Sequence, residues 1–170
     1  FFARLAFEGG RAAASPESFR SELAGVAGGM RAEWSMRPST RAIRTAILVS
    51  RQDHCLADLL WRWRSGELNV SIAGVFSNHE ACRALAEREG LPYERVDFSG
   101  DKEAAFGELA GRLRAREVEL IVLARFMQIL PDWFCQEFSG RIINIHHSFL
   151  PAFVGANPYR RAFERGVKLI

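Results

Sequence analysis

Four consecutive apolar residues, Ile121-Val122-Leu123-Ala124, leave no polar face on the segment that carries them. A strand apolar on both faces belongs inside a parallel sheet covered by helices on each side. The flanking sequence supplies the rest of such a sheet. Residues 45–50 and 72–77 read as further compact apolar strands, 93–98 as a weaker one, 119–126 as the strand around the central run, and 141–148 as the last full strand. Residues 166–170 read as the start of another. Between them lie helical periodicities. Leu56, Leu59, Leu60 and Trp63 share one face, with Gly66 near the end; a helix through 80–89 stops at Gly90; Asp101 caps a helix carrying Phe106, Leu109 and Leu113. Alternating strands and helices predict an α/β fold with a doubly wound parallel sheet. Its ligand site should lie beyond the carboxyl ends of the strands.

The first residues follow a different plan. Ala3, Leu5 and Phe7 alternate with Arg4 and Glu8, the pattern of a half-buried strand. Gly9 and Gly10 turn the chain, and Ser15-Pro16 offers a helix N-cap with a first-turn proline. Phe19, Leu23, Val26 and Met30 then form one apolar helical stripe, and Ala32, Trp34 and Met36 alternate as a second strand. Residues 1–36 therefore read as a small α+β domain, 37–44 as a linker containing Pro38, Ser39 and Thr40, and 45–170 as the α/β domain.

Charge and cysteine usage exclude several function classes. The net charge of +3 is mild, and the arginines are interleaved with acids, as in Arg62, Arg64 and Glu67 or Arg112, Arg114, Arg116 and Glu117. That pattern is a solvated helix face rather than a track for phosphates, so nucleic acid is not the expected partner. Cys55, Cys82 and Cys135 are odd in number and far apart, which suits buried free thiols in a reducing cytoplasm better than a disulfide framework. His54, His79, His146 and His147 show no ligand spacing with acids or thiols, so no metal is expected. No apolar run approaches the roughly 20 residues that a membrane span needs.

The constellation that can carry chemistry is Asn144-Ile145-His146-His147-Ser148, followed by Leu150-Pro151. Residues two apart in a strand share a face, so Asn144, His146 and Ser148 should project together. Acyl hydrolysis needs a donor to the developing oxyanion and a group that moves protons; an amide NH2 beside an imidazole supplies both. The structural alternative is that Asn144 satisfies a loop carbonyl and His146 is a core histidine. His147 should point to the opposite face, in a structural role.

The surrounding residues decide between these. Asn144, His146, Ser148, Leu150 and Pro151 resemble the Asn-x-His-x-Ser-x-Leu-Pro strand of the folate-dependent formyltransferase family. Leu123-Ala124-Arg125-Phe126-Met127-Gln128-Ile129-Leu130 resembles the family's segment that lines the pterin pocket. The resemblance implies that Met127, Gln128, Ile129 and Leu130 contact the pterin, with Ser148 also on the substrate side. The competing reading places Phe126, Met127, Ile129 and Leu130 in the core at a strand-to-helix turn, and the two can hold together.

Within the family, glycinamide ribonucleotide formyltransferases carry a Gly-Asn-Gly-Ser-Asn loop after the first strand, whose amides cradle a phosphate. Ser50-Arg51-Gln52-Asp53-His54-Cys55 has no glycine there, and Asp53 would repel an anion. That stretch, together with Arg62-Trp63-Arg64-Ser65-Gly66, Ser77-Asn78-His79, the His147 beside His146, and Gly155-Ala156-Asn157-Pro158-Tyr159, resembles the formyltetrahydrofolate deformylases. The likeness implies hydrolysis of 10-formyltetrahydrofolate to formate and tetrahydrofolate, within one-carbon and purine metabolism. Asn144 would bind the oxyanion and His146 would transfer the proton. It implies no cofactor beyond the folate substrate, a cytoplasmic homo-oligomer with no membrane partner, and residues 1–36 as the second half of an ACT regulatory domain with an amino-acid effector. Such enzymes use an aspartate after the catalytic strand, and none follows Asp132 here. The expectation is of a chain cut at both ends and inactive alone. Transfer of formyl to an amine, or formylfolate or amino-acid sensing without turnover, are the alternatives.

Overall fold

The computed structural model describes residues 5, 10, 15–38, 40–144 and 164–165. The chain divides into two compact units, Phe1–Arg41 and Ala42–Ile170.

In the first unit, helix α1 spans Pro16–Gly29 with proline in its first turn. Ser15 stands at the N-cap position but its side chain makes no capping hydrogen bond, so the proline carries the start alone. Phe19 and Leu23 are half-buried and Ala27 is buried, whereas Val26 and Met30 are exposed. The expected stripe is therefore only partly covered. Periodicity selects the face that can be buried, but burial requires an element packed on it, and no strand occurs among this unit's described residues. Residues 32–38 have no regular structure, which corrects the strand expected from Ala32, Trp34 and Met36. Alternation makes a strand only where a neighbour can pair with it. The strand expected over 3–8 lies outside the described residues except for Leu5, which is exposed and not in a strand.

The second unit is the expected doubly wound sheet. Strands β1 (Ile43–Val49), β2 (Val70–Ser77), β3 (Tyr93–Arg95), β4 (Leu120–Ala124) and β5 (Ile142–Asn144) pair in the order β3-β2-β1-β4-β5. All four pairings are parallel. Helices α2 (His54–Arg64), α3 (Arg83–Arg88), α4 (Lys102–Ala115) and α5 (Asp132–Glu137) connect them.

Side chains two apart on β1 separate into two cores. Ala46 and Leu48 join Phe106, Leu109 and Leu113 of α4 and Phe134 of α5 on one face. Ile47 and Val49 join Leu56 and Leu60 of α2 and Ala86 of α3 on the other. Each fully buried Leu or Phe contributes about 1.5–3 kcal/mol relative to exposure. The aromatic half is a contiguous set in which Phe106 meets Phe98 at 4.9 Å and Phe134 at 5.4 Å, both near edge-on. Edge-to-face packing suits the ring quadrupoles.

Several boundaries follow from local chemistry. Asp101 accepts hydrogen bonds from the amides of Glu103 and Ala104 at 2.8 and 3.2 Å, starting α4 as its sequence requires. Gly90 ends the α3 segment with φ +71°, a conformation a side chain would oppose. A register shift opposite Thr45/Ala46 leaves Ala73 as an extra residue in β2, and its carbonyl accepts from Arg116 Nη1 at 2.6 Å. The arginines read as a solvated face do pair with acids: Arg62 with Asp58 and Glu67, Arg112 with Glu94 and Glu108, Arg114 with Glu137, and Arg116 with Glu94. Among the thiols Cys82 is buried, but Cys55 is only half-buried and Cys135 is exposed, which corrects the expectation that all three are internal.

The winding positions the site. The chain steps from β1 to β2 to β3 in one direction, then crosses back through α4 to place β4 on the other side of β1. The connections leaving β1 and β4 diverge there, opening a crevice beyond their carboxyl ends.

Candidate active site

A cleft of about 330 Å³ occupies that crevice, lined by Ser50, Arg51 and Gln52 after β1, Asn78 and His79 after β2, and Arg125, Met127 and Gln128 after β4. The cleft lies beyond the carboxyl ends of β1, β2 and β4, where a ligand site was expected.

The wall after β1 and β2 is fixed by buried polar groups. Ser77 and Ser50 are both buried. Ser77 Oγ donates to the Ser50 carbonyl at 3.5 Å and accepts from the His79 amide at 3.1 Å. The Cys82 thiol also donates to the Ser50 carbonyl at 3.5 Å. Tyr93 donates its hydroxyl to the His79 carbonyl at 2.5 Å. Both backbone polar groups of His79 are thus held, and its imidazole is oriented by Arg51, whose Nε donates to Nε2 at 3.2 Å. Burial lowers the His79 pKa below its ordinary value, and the positive charges of Arg51 and Arg95 lower it further. A neutral ring is what that contact needs, because only an unprotonated Nε2 can accept. Burial pushes the Cys82 thiol up, assisted by the charge of Asp53, so this sulfur is a packed thiol rather than a nucleophile. Asn78 Oδ1 is buried and has no hydrogen-bond partner among the described residues.

The wall after β4 is built from strained backbone. Arg125 and Met127 take left-handed φ values of 62° and 56° although neither is glycine. Each such residue costs roughly 1–2 kcal/mol and persists only where the surroundings over-determine it. Phe126, between them, supplies the constraint: it is buried, with its ring 5.6 Å from Phe98 at an interplanar angle of 82°. Pinning this ring inward turns its neighbours outward. Met127 is 65 % exposed and Ile129 93 % exposed, while Leu130 is half-buried against the aromatic core. The core reading therefore holds for Phe126 and Leu130, and Met127 and Ile129 are free to meet a ligand.

Of the residues expected from sequence, Met127 and Gln128 line the cleft. Asn144 ends β5, opposite Leu123 of β4, and is exposed, with no side-chain hydrogen bond to any described residue. It stands on the strand adjacent to Arg125 and Met127. His146, His147 and Ser148 lie outside the described residues. Six cleft residues were not selected as site residues from sequence: Ser50, Arg51, Gln52, Asn78, His79 and Arg125. Their available signal was position, since each follows the carboxyl end of an apolar strand, where the fold places its ligand. Among the described residues no group of three or more His, Cys, Asp or Glu is arranged to hold a metal ion. None of their helices is long and apolar enough to cross a membrane.

Comparison with known proteins places this geometry. Residues 43–170 match the formyl transferase family model. The formyltetrahydrofolate deformylase of Bacillus subtilis is 44% identical over 171 residues, covering 100% of this chain and 57% of the relative. The crystal structure of a formyltetrahydrofolate deformylase from Pseudomonas syringae superposes with a TM-score of 0.82 at 44% identity, over 89% of this chain and 51% of that one. Glycinamide ribonucleotide transformylase 1 from Symbiobacterium toebii superposes with a TM-score of 0.70 at 32% identity, over 79% of this chain and 66% of that one. The chain thus spans a little over half the length of these two deformylases. With its sheet order, its cleft and its match over residues 43–170, the chain belongs to the formyl transferase family.

Proposed function

We propose that the protein of this sequence hydrolyses 10-formyltetrahydrofolate to formate and tetrahydrofolate. One observation carries the choice of water over a phosphorylated amine as acceptor: the turn after β1 lines the cleft with Arg51 and Gln52 where a phosphate-cradling loop would place glycines. The 44% identity to a protein named formyltetrahydrofolate deformylase supports the same choice.

In this reading Met127 packs on the flat pterin and Gln128 offers its amide to the heterocycle. Ile129 and Leu130 extend that wall, with Ser148 on the substrate side. A water attacks the formyl carbon, and the oxyanion that forms accepts a hydrogen bond from the Asn144 amide. His146 moves the proton that water loses to the departing folate nitrogen, and the carbon–nitrogen bond breaks. No other cofactor is required. Residues 1–36 are assigned to an ACT-like regulatory portion, with an amino-acid effector and self-association.

The test is to give 10-formyltetrahydrofolate, with no amine, to a protein that carries this sequence at the full length of its deformylase relatives, and to measure formate. Formate release is expected; release only after an amine acceptor is added would replace the hydrolase reading with a transferase one.

A further inference from the structure

Most of the described arginines elsewhere on the domain are ion-paired. Arg62, Arg64, Arg83, Arg112, Arg114 and Arg116 each contact a carboxylate. Among the described residues Arg51 makes only its hydrogen bond to His79, and Arg125 makes no ion pair. None of the eight lining residues is an acid, so the cleft holds two guanidinium groups and no described counter-charge. Asp53, which the sequence suggested would repel an anion, is exposed and does not line the cleft.

Two further features aim the same way. Arg125 holds φ 62°, where glycine would sit without strain. A strained backbone under a charged side chain, at a ligand cleft, points to a use for that side chain. Beside Arg51, His79 presents a neutral ring as acceptor, which leaves the remaining guanidinium N–H groups of Arg51 free to donate elsewhere. A planar guanidinium matches a carboxylate, through two parallel hydrogen bonds, better than it matches any neutral group.

We propose that Arg51 and Arg125 form a carboxylate-binding site in the cleft, and that its ligand is formate leaving the reacting centre at Asn144. The identity of the carboxylate as formate rests on the hydrolase reading; the site itself rests on the arrangement of charge. Asn144 lies at the end of β5, which pairs with β4, and Arg125 directly follows β4. Arg125 thus follows the strand that neighbours Asn144, and Arg51 lines the same cleft. The site would hold the anion briefly after the carbon–nitrogen bond breaks, and added formate would compete there with turnover. A carboxylate on the folate itself has the same chemistry and is the other source.

The experiment measures binding of sodium formate by saturation-transfer NMR, against sodium chloride at equal ionic strength. Three heavy atoms limit the affinity to roughly millimolar. Saturable formate binding is expected in the wild type, weakened about tenfold or more in Arg125→Gly and Arg51→Gln. Glycine accepts the left-handed φ without cost, so loss of binding in Arg125→Gly is not loss of fold. A parallel arm compares folate analogues with and without the glutamate tail. If formate does not bind, and Arg125→Gly weakens only the tailed analogue, the carboxylate is the substrate's own and the site stands. Equal binding of both carboxylates by wild type and variants overturns the site, as does binding by none. Formate release in turnover is scored separately: its absence with carboxylate binding intact removes the hydrolase reading and leaves the site.

Discussion

Arg51 Nε and His79 Nε2 meet at 3.2 Å, and the contact exists only while the imidazole is neutral. Burial lowers the His79 pKa from an ordinary value of 6.5, with Arg51 and Arg95 adding to the shift. A depressed histidine pKa places the extra proton on the unfolded chain. Its contribution is therefore complete above about pH 6.5 and is lost as pH falls from there through the lowered folded value. Thermal melts across this window are expected to show the wild type losing stability on acidification, with a shallower slope for His79→Gln. Parallel curves for the two proteins would mean that the ring is not held neutral.

Helix starts give a paired prediction. Asp101→Ala removes an acceptor bonded to two amides and should cost about 1 kcal/mol. Ser15→Ala should cost little, because the Ser15 side chain makes no capping bond. Denaturant titration reads both; a Ser15 effect as large as that of Asp101 would contradict the capping geometry.

These two positions also show what sequence could and could not convey. Asp101, the buried positions Leu56 and Leu60, and the central run at Ile121 were legible because their information is local: a cap, a helical face, a strand apolar on both sides. At Ala32, Trp34 and Met36 the local pattern misled, since a strand needs a partner that the pattern does not contain. The Arg51–His79 contact joins residues 28 apart through sheet pairing, so no spacing rule could predict it. The left-handed turns at Arg125 and Met127 carry no glycine to announce them. Asn144 was legible as a strand-end residue, and its place beside β4 came from the topology.

The proposed chemistry predicts a hierarchy along the last strand. His146→Ala should lower the rate of formate release by roughly a hundredfold or more. Asn144→Ala should lose a comparable factor through the missing oxyanion donor. His147→Ala should do much less. A greater loss at His147 than at His146 would reverse the strand-face assignment and move the proton-transfer role.

Phe126 tests whether strain after β4 is maintained for the site. Its ring is buried against Phe98 at 5.6 Å, and the residues on either side hold left-handed φ values. Phe126→Ala removes the ring that pins the turn, at a cost of about 3–5 kcal/mol. The freed backbone can then relax out of two strained conformations, which withdraws Met127 and Gln128 from the cleft wall. Leu113→Ala is the matched comparison: Leu113 is fully buried in the same aromatic core but lies on α4 and does not line the cleft. Its loss should cost about 2–5 kcal/mol by the same cavity mechanism. At a temperature well below both melting points, Phe126→Ala should raise KM for the folate and lower kcat/KM, while Leu113→Ala keeps both near wild type. Phe126→Leu, which restores an apolar anchor, should recover most of the KM. If the two alanine variants lost activity equally, the effect would track global stability, and the ring would be core alone rather than the element that turns Met127 and Gln128 toward the ligand.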